Sequence, residues 1–376
     1  MIVVAGGSGL LGRLVVADLV ARGESVRVLV RDADRAAGLL PAEVDIQAAD
    51  VRHPEGLEPV VAGASVLVSA VHGFLGGRGA GPAAVDHRGN THLMTAARAT
   101  GAEVVMVSVL GAAPDSRSEL FRAKYAAEQE LRRCGTPWTV VRAAAFLETW
   151  VGILRQTAGK AGRPLVFGRG EQPIAFVSAM DVAAVVVRAA TDSALRGQVL
   201  EIGGKRLTMN ELAAAVQVGR GLPPRHLPRS MLRAFGTFGP VSPRFARQNR
   251  TALLMDSSDL GSGADELRAG LDLPPARTVA DVLPQAAPRP LALRRLGRTP
   301  LWPPASPADR SSRPYRFGAG GGEEVGRTVP GQQVPHGVTG RREMSWNVHV
   351  PPVLGGRQGS QPVTQQADRR SSERVP

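Results

Sequence analysis

Three glycines near the beginning of the chain are spaced so that their backbone could receive a phosphate group. Gly6, Gly9 and Gly12 follow the apolar segment Ile2–Ala5, and an apolar helical pattern continues from them. Glycine suits such a turn because a side chain would block both its left-handed backbone angles and the approach of a diphosphate to the helix N-terminus. A second apolar strand, 25–31, ends in a polar residue about 20 residues on. This spacing predicts a dinucleotide-binding turn.

The residue at the end of the second strand distinguishes the two nicotinamide dinucleotides. NAD sites usually place Asp or Glu there to hold the ribose hydroxyls, whereas NADP sites place a cation there for the additional phosphate. Here that residue is Arg31, and Arg13 follows Gly12 directly. Two guanidinium groups could therefore converge on a phosphate dianion. Asp32, next to Arg31, favours NAD instead. The sequence thus favours NADP as the cofactor, with NAD as the alternative.

The turn from Gly6 to Gly12 reads Gly-Gly-Ser-Gly-Leu-Leu-Gly, which resembles the G-G-x-G-x-x-G turn of atypical and extended short-chain dehydrogenases/reductases. The resemblance covers about residues 1–283, and the segment 176–183 is similar to the Phe-Val-x-x-x-Asp-Val-Ala segment of the NmrA-like branch. It implies that Asp50 lies against the adenine ring and that the strand 66–70 ends beside the cofactor. The predicted cofactor-binding residues are Gly6, Ser8, Gly9, Leu10, Leu11, Gly12, Arg13, Arg31, Asp50, Val51, Ser69, Ala70, Val71 and Lys124.

The resemblance is incomplete at the catalytic centre. The family pairs a tyrosine with a lysine one helical turn later, where the lysine holds the nicotinamide ribose and activates the tyrosine. Lys124 matches this lysine, but Leu120 stands in the place of the tyrosine, and Tyr125 lies about 100° further around the helix. Isoflavone-reductase-like enzymes resemble this chain in keeping the lysine without that tyrosine. Ser108, in the position of the family's active-site serine, and Lys124 are the predicted catalytic residues.

Lys124 and His72 each have more than one interpretation. Lys124 could hold the ribose, transfer a proton if it is desolvated, or be a surface lysine. His72 follows the fourth predicted strand and could reach the nicotinamide or a substrate, although a loop histidine is more often merely solvated. The His, Cys and carboxylate residues show no metal-ligand spacing, so no metal site is predicted.

Strand and helix patterns alternate over residues 1–145, and the strands are near-continuous runs of Val, Leu and Ile. Such runs are typical of a parallel sheet covered on both faces, so the predicted fold is α/β, a Rossmann-like doubly wound parallel sheet. Residues 146–283 are less regular and are predicted to form a small C-terminal substrate lobe over the strand ends. Together these segments form the predicted NAD(P)-binding domain, 1–283.

The last part of the chain, 284–376, is rich in Arg, Pro and Gly and has no sustained apolar period. Because such a segment cannot bury enough apolar area to offset its ordering entropy, we predict a disordered extension. It carries much of the net charge of +13, with fourteen arginines against six acidic residues from residue 285 onward. The arginines are scattered and no aromatic stacking pattern accompanies them, so neither nucleic acid nor a membrane is a predicted partner.

The lack of any long apolar stretch, the absence of a basic leader before Ile2 and the single cysteine, Cys134, predict a cytoplasmic location. Two functions from different classes remain. One is an NADP-dependent oxidoreductase acting on a small carbonyl, quinone or enone, with Ser108, Lys124 or water handling the proton. The other, implied by the NmrA-like resemblance, is a non-catalytic dinucleotide redox sensor that regulates a protein partner. The absent tyrosine favours the sensor, and the retained serine and lysine favour the enzyme.

Overall fold

The computed structural model describes residues 1–159, 162–216, 222–237, 242–258 and 265–283, so the predicted extension at 284–376 lies outside the described residues. The strands are β1 (Ile2–Ala5), β2 (Val26–Val30), β3 (Asp45–Ala48), β4 (Val66–Ser69), β5 (Glu103–Val109), β6 (Trp138–Ala143), β7 (Ala145–Phe146), β8 (Leu165–Phe167), β9 (Ile174–Val177), β10 (Val199–Ile202), β11 (Arg206–Leu207) and β12 (Arg225–Leu227). The α-helices are α1 (Leu10–Ala21), α2 (Ala33–Ala37), α3 (Leu57–Val61), α4 (Asn90–Thr100), α5 (Glu119–Arg133), α6 (Leu147–Ala158), α7 (Ala179–Thr191), α8 (Met209–Val216), α9 (Arg229–Gly236), α10 (Pro243–Met255), α11 (Asp265–Gly270) and α12 (Val279–Val282).

Seven parallel strands form the main sheet in the order β3-β2-β1-β4-β5-β6-β10. The order reverses between β1 and β4, whose registers pair Ile2 with Val66 and Ala5 with Ser69. In an open parallel sheet, ligands bind beyond the carboxyl ends of the strands at such a reversal. The predicted doubly wound α/β fold is confirmed, and the topology places the candidate site above the ends of β1 and β4.

Both faces of the main sheet are buried, which explains the continuous apolar strands. Alternate residues point to opposite faces, so Val4 and Val28 pack in one core with α1 and α7, while Val3 and Leu29 pack in the other with α3, α4 and α5. The sheet is therefore a rigid base between two helical layers. Over the described ranges no helix has the length and apolar character needed to cross a membrane.

The region after residue 145 contributes to both the main sheet and a separate lobe. This differs from the predicted division, because β10 pairs with β6 and α7 packs in the core formed with α1. The remaining elements form a three-stranded sheet, β11-β9-β7, and a two-stranded sheet, β12-β8, over a third apolar core. The short lobe strands are thus held by packing between segments far apart in the sequence.

Candidate functional site

The glycine turn between β1 and α1 has the geometry that a diphosphate requires. Gly6 has a φ of +82°, and a Cβ there would lie 2.8 Å from the carbonyl oxygen of Ala70. A Cβ on Gly12 would overlap the Gly6 carbonyl oxygen and lie 2.7 Å from the Cα of Gly7. The turn closes through a 3.0 Å hydrogen bond from the Gly9 amide to the Gly6 carbonyl. Only glycine allows β1, β4 and the start of α1 to approach so closely.

The N-terminus of α1 is open toward the same crevice. Gly9 is the N-cap residue and no side chain caps the helix. The first-turn amides of Leu10, Leu11 and Gly12 therefore have no intrahelical acceptor, and the helix dipole adds partial positive charge. Leu10 is exposed and Ser8 is half-buried beside it. The residues present fit the diphosphate of a dinucleotide.

The carboxyl ends of β2 and β3 carry two arginines and two aspartates. Arg31 is exposed, and its side chain makes no hydrogen bond to any described residue. Asp32 is the N-cap of α2 and accepts a 3.0 Å hydrogen bond from the Arg35 amide. Its carboxylate therefore caps α2. Asp32 was the one sequence feature that favoured NAD, and this capping role weakens that argument.

Asp50 is held by Arg52 rather than standing free. Its Oδ2 lies 2.5 Å from Nη2 of Arg52, and its Oδ1 accepts the Arg52 amide at 3.0 Å. The hydrogen bonds from Arg52, outweighing partial burial and assisted by the charge of Arg31, lower the pKa of Asp50 below its ordinary value. Sequence reasoning missed Arg52, although the closely spaced Asp50 and Arg52 were a visible signal. The expected contact of Asp50 and buried Val51 with the adenine ring stays a prediction.

Arg13 lies along the first turn of α1. Its Nε donates to the Gly9 carbonyl at 3.3 Å, so the half-buried side chain folds back over the glycine turn. The structure thus brings Arg13 to the glycine turn, whereas Arg31 and Arg52 stand at the ends of β2 and β3. The sequence prediction had both Arg13 and Arg31 converging on one phosphate.

The end of β4 meets the glycine turn, as the predicted cofactor residues there require. Ala70 donates its amide to the Ala5 carbonyl at 2.9 Å. Ser69 is buried, and its hydroxyl donates to Oδ1 of Asn90 at 2.6 Å. Val71 follows with its side chain buried. Backbone and apolar surface of residues 70 and 71, rather than the Ser69 hydroxyl, therefore line the crevice.

Lys124 lies beneath this segment in a buried ion pair. Only 3% of its side chain is exposed, and its Nζ lies 3.1 Å from Oδ1 of Asp86, whose side chain is fully buried. The ammonium also donates to the carbonyls of Val71 at 3.1 Å and Val107 at 2.9 Å. Oδ2 of Asp86 accepts the Gly73 amide at 2.8 Å. An ammonium has three donors, and two of them are used by these carbonyls, while Oδ1 of Asp86 is an ion-pair contact without hydrogen-bond geometry. Lys124 is not a surface residue, and its predicted roles at the ribose or in proton transfer stay predictions.

The ionised state of Asp86 has a consequence for acid stability. Burial by itself would raise its pKa, but the charge of Lys124, with His72 and the Gly73 amide, outweighs burial and lowers the pKa below its ordinary value. A lowered pKa contributes stability above the ordinary value that is lost as the pH falls through the folded-state value. We expect the difference in unfolding free energy between the unaltered protein and Asp86→Asn to shrink as the pH falls below about 4. Urea titrations at each pH measure it, and a difference that stays unchanged as the pH falls from about 5 to about 3 would contradict the assignment.

Ser108 is committed to a second buried network. Its hydroxyl donates to Oε1 of Glu128 at 2.5 Å, and only 2% of the residue is exposed. Glu128 also binds Nη2 of Arg142 at 2.6 Å, and these hydrogen bonds raise the pKa of the arginine above its ordinary value despite partial burial. Glu128 lies one turn after Lys124 on α5, so the two buried polar side chains of this helix both bind within the protein. The predicted catalytic role of Ser108 stays a prediction.

A glycine-rich loop, residues 73–81, follows β4 and is held by the C-terminal lobe. Nη1 of Arg247 on α10 donates to the carbonyls of Phe74 at 2.8 Å and Gly76 at 3.2 Å. Its Nε lies 3.0 Å from Oε2 of Glu119, at the start of α5. Arg247 is nearly buried, so this contact is an internal tie. Among the described residues no group of three His, Cys, Asp or Glu side chains could hold a metal ion.

Comparisons with known proteins agree with this geometry. Residues 6–193 match the family model described as NAD(P)H-binding. An NAD(P)H azoreductase of Xenophilus azovorans is 31% identical over 229 residues, which are 60% of this chain and 76% of that protein. The Photosystem II assembly factor Ycf39 of Synechocystis sp. is 26% identical over 245 residues, 63% of this chain and 73% of that protein. The Escherichia coli NADPH-dependent quinone oxidoreductase QOR2, solved with NADPH, superposes with a TM-score of 0.64 at 20% identity, over 76% of this chain and 99% of that chain.

Three observations now point to one family. The glycine turn forms a cradle that a Cβ would fill, the strand order reverses above it, and the family match covers half of the chain. The azoreductase relative extends the match into the C-terminal lobe. The chain belongs to the NAD(P)H-binding atypical short-chain dehydrogenases/reductases, in the NmrA-like family.

Proposed function

We propose that this protein is an NADPH-dependent reductase that acts on a small conjugated acceptor such as a quinone, an enone, another carbonyl compound or an azo compound. The observation that carries the proposal is the exposed guanidinium of Arg31 at the end of β2. Arg52 is held by Asp50, and Asp32 accepts the Arg35 amide within α2. A phosphate dianion would have a cationic partner in Arg31 at this point. The azoreductase relative, which by its name uses NAD(P)H, supports a reductase.

Residues of this chain would bind and orient the two substrates. The amides of Leu10, Leu11 and Gly12 would hold the diphosphate, and Arg31 the additional phosphate of the adenosine. Bound NADPH supplies a hydride from its nicotinamide ring. The nicotinamide half of the cofactor would be held by the backbone of residues 70 and 71. The buried side chain of Val71 would exclude water from one face of the nicotinamide ring. The loop at 73–81 would border the acceptor.

Replacing Arg31 with alanine is expected to weaken NADPH binding about ten- to a hundredfold while leaving NADH binding nearly unchanged. A charge-assisted hydrogen bond contributes about 1.5–3 kcal/mol, and each tenfold in affinity corresponds to about 1.4 kcal/mol. Only NADPH carries the phosphate that Arg31 would contact. Calorimetric titration of both cofactors measures the two affinities.

The matched control is Arg22→Ala, which removes an exposed arginine whose partner is Asp18 at the far end of α1. It should leave both affinities unchanged. Equal losses for NADPH and NADH in the Arg31 variant, or tighter NADH binding by the unaltered protein, would overturn the NADP assignment.

A second function, a non-catalytic dinucleotide sensor with a protein partner, is favoured by one specific observation. The side chains of Ser108 and Lys124 both make their polar contacts inside the protein. The relative named as a photosystem II assembly factor is consistent with such a role. NADPH oxidation by the purified protein should be followed with naphthoquinone, an enone and an azo dye. Turnover with at least one acceptor supports the reductase, whereas tight NADPH binding without turnover favours the sensor.

A further inference from the structure

His72 lies next to the buried ion pair of Asp86 and Lys124. Its Nδ1 is 3.6 Å from Oδ1 of Asp86, and half of its side chain is exposed to solvent. The imidazole is stacked near the ring of Phe74, with centroids 5.9 Å apart and planes inclined by 28°. The buried ammonium of Lys124 and the half-exposed imidazole of His72 therefore approach the same carboxylate oxygen, Oδ1 of Asp86.

The position of His72 in the fold places it beside the reacting half of the dinucleotide crevice. It follows Ala70, whose carbonyl packs against Gly6, and Val71, whose carbonyl accepts from Lys124. A dinucleotide that starts at the glycine turn and continues toward β5 must cross this segment, because β4 lies between β1 and β5. Cofactor-facing backbone and His72 are thus consecutive in the chain.

We propose that His72 is the catalytic proton donor for the reduced acceptor, with Asp86 as its positioning residue. This inference rests on the proposed reductase function. Asp86 would orient the ring by accepting from Nδ1–H, and the 3.6 Å separation is of the kind that shortens when substrate binds. The imidazolium would then present Nε2–H to the acceptor. Lys124 neutralises the carboxylate of Asp86 and stays in its buried position during the reaction.

The transfer balances in atoms and charge. A hydride adds to the acceptor and breaks its conjugated double bond, which leaves an electron pair on an oxygen, or on the second nitrogen of an azo group. The N–H bond at Nε2 of His72 breaks, a new O–H or N–H bond forms, and the imidazolium becomes neutral imidazole. Because half of the ring is exposed, solvent returns the proton. The dihydronicotinamide is oxidised and the acceptor is reduced by two electrons.

Two ion pairs lie beside the loop. Asp86 faces Lys124 from α5, and Glu119 of α5 faces Arg247 from α10. Each pair is internally neutral. A donor that must carry a proton makes the rate of quinone reduction fall as the pH rises.

The test compares two acceptors that differ in their need for a proton. 1,4-Naphthoquinone needs both hydride and proton, whereas crystal violet, a triphenylmethyl cation, becomes a neutral product on receiving hydride alone. His72→Gln should lower kcat for naphthoquinone about a hundredfold or more and abolish its pH dependence. The same variant should reduce crystal violet at the unaltered rate and bind NADPH within about twofold of the unaltered affinity by calorimetry.

The matched control is His53→Gln, which removes another exposed histidine and should change none of these quantities. Equal loss with both acceptors, or an unchanged naphthoquinone rate and pH profile in His72→Gln, overturns the proton-donor role while the reductase function stands. If the unaltered protein binds NADPH but reduces neither acceptor, the proposed function fails and this inference fails with it.

Discussion

Replacing Lys124 with methionine is expected to destabilise the protein by about 3–5 kcal/mol. Removing one member of a buried ion pair leaves an uncompensated charge in the interior, and Asp86 has no exposed surface through which water could solvate it. The carbonyls of Val71 and Val107 would also lose their donor. Urea unfolding at pH 7 measures the change.

Two further variants make this result interpretable. Lys205→Met removes an exposed lysine and should alter the unfolding free energy by less than about 0.5 kcal/mol. The double variant Lys124→Met/Asp86→Asn removes both charges and should recover part of the loss, because a buried pair contributes less than either uncompensated ion costs. A Lys124→Met protein with unaltered stability but several-fold weaker NADPH binding would contradict the structural role and restore the sequence prediction of a ribose contact.

Replacing Gly12 with alanine is expected to weaken NADPH binding by about a hundredfold or more. The added Cβ would overlap the Gly6 carbonyl oxygen and crowd the Cα of Gly7, both of which belong to rigid backbone. The start of α1 must therefore move away from β1, and its amides then no longer converge on the diphosphate. Overpacking of this kind also costs about 1–3 kcal/mol of stability. Calorimetry with NADPH and thermal unfolding measure the two effects.

Gly56→Ala is the control for this substitution. Gly56 has a φ of −99°, and a Cβ there meets no atom within 4 Å. Its NADPH affinity and thermal midpoint should match those of the unaltered protein. Gly12→Ala with NADPH affinity near the unaltered value would mean that the dinucleotide binds elsewhere.

The main sheet and the glycine turn could be predicted because their signals are local. Continuous apolar strands and a short run of glycines determine the fold around Gly6 and Gly12 without reference to distant segments. The capping role of Asp32 was equally local, since an aspartate at a helix start commonly accepts from the first turn. Had Asp32 been interpreted as a helix cap, it would not have counted in favour of NAD, and the NADP prediction would have been stronger.

The sequence prediction placed Lys124 and Ser108 by their match to a family motif that lacks its tyrosine here. That match did not predict which residues Lys124 and Ser108 bind. Residues 120, 124, 127, 128 and 131 are all buried on one face of α5. That apolar periodicity was present in the sequence and indicates a lysine facing the sheet rather than the crevice. Asp86, by contrast, comes from a π-helical turn before α4, and only the tertiary fold brings it to Lys124.

The division at residue 145 differed from the structure because strand pairing is non-local. β10 is a short strand that follows a long excursion through the lobe, and its alignment with β6 depends on α7 packing beside α1. Arg52 is a different case, because its hydrogen-bond partner Asp50 is only two residues away and the pair was visible in the sequence. Only the charge of Arg31, which acts on the same carboxylate, comes from a separate strand end.

The hydrogen bonds from Arg247 to the loop at 73–81 have a consequence for folding during synthesis. Domains begin to fold from their N-terminal parts during synthesis, so β1, α1 and the glycine turn can assemble while α10 is still untranslated. The loop that carries Phe74 and Gly76 gains its Arg247 contacts only afterwards. A ribosome-bound chain stopped before residue 243 should therefore already hold the dinucleotide's diphosphate, yet leave that loop open to protease until the next helix emerges.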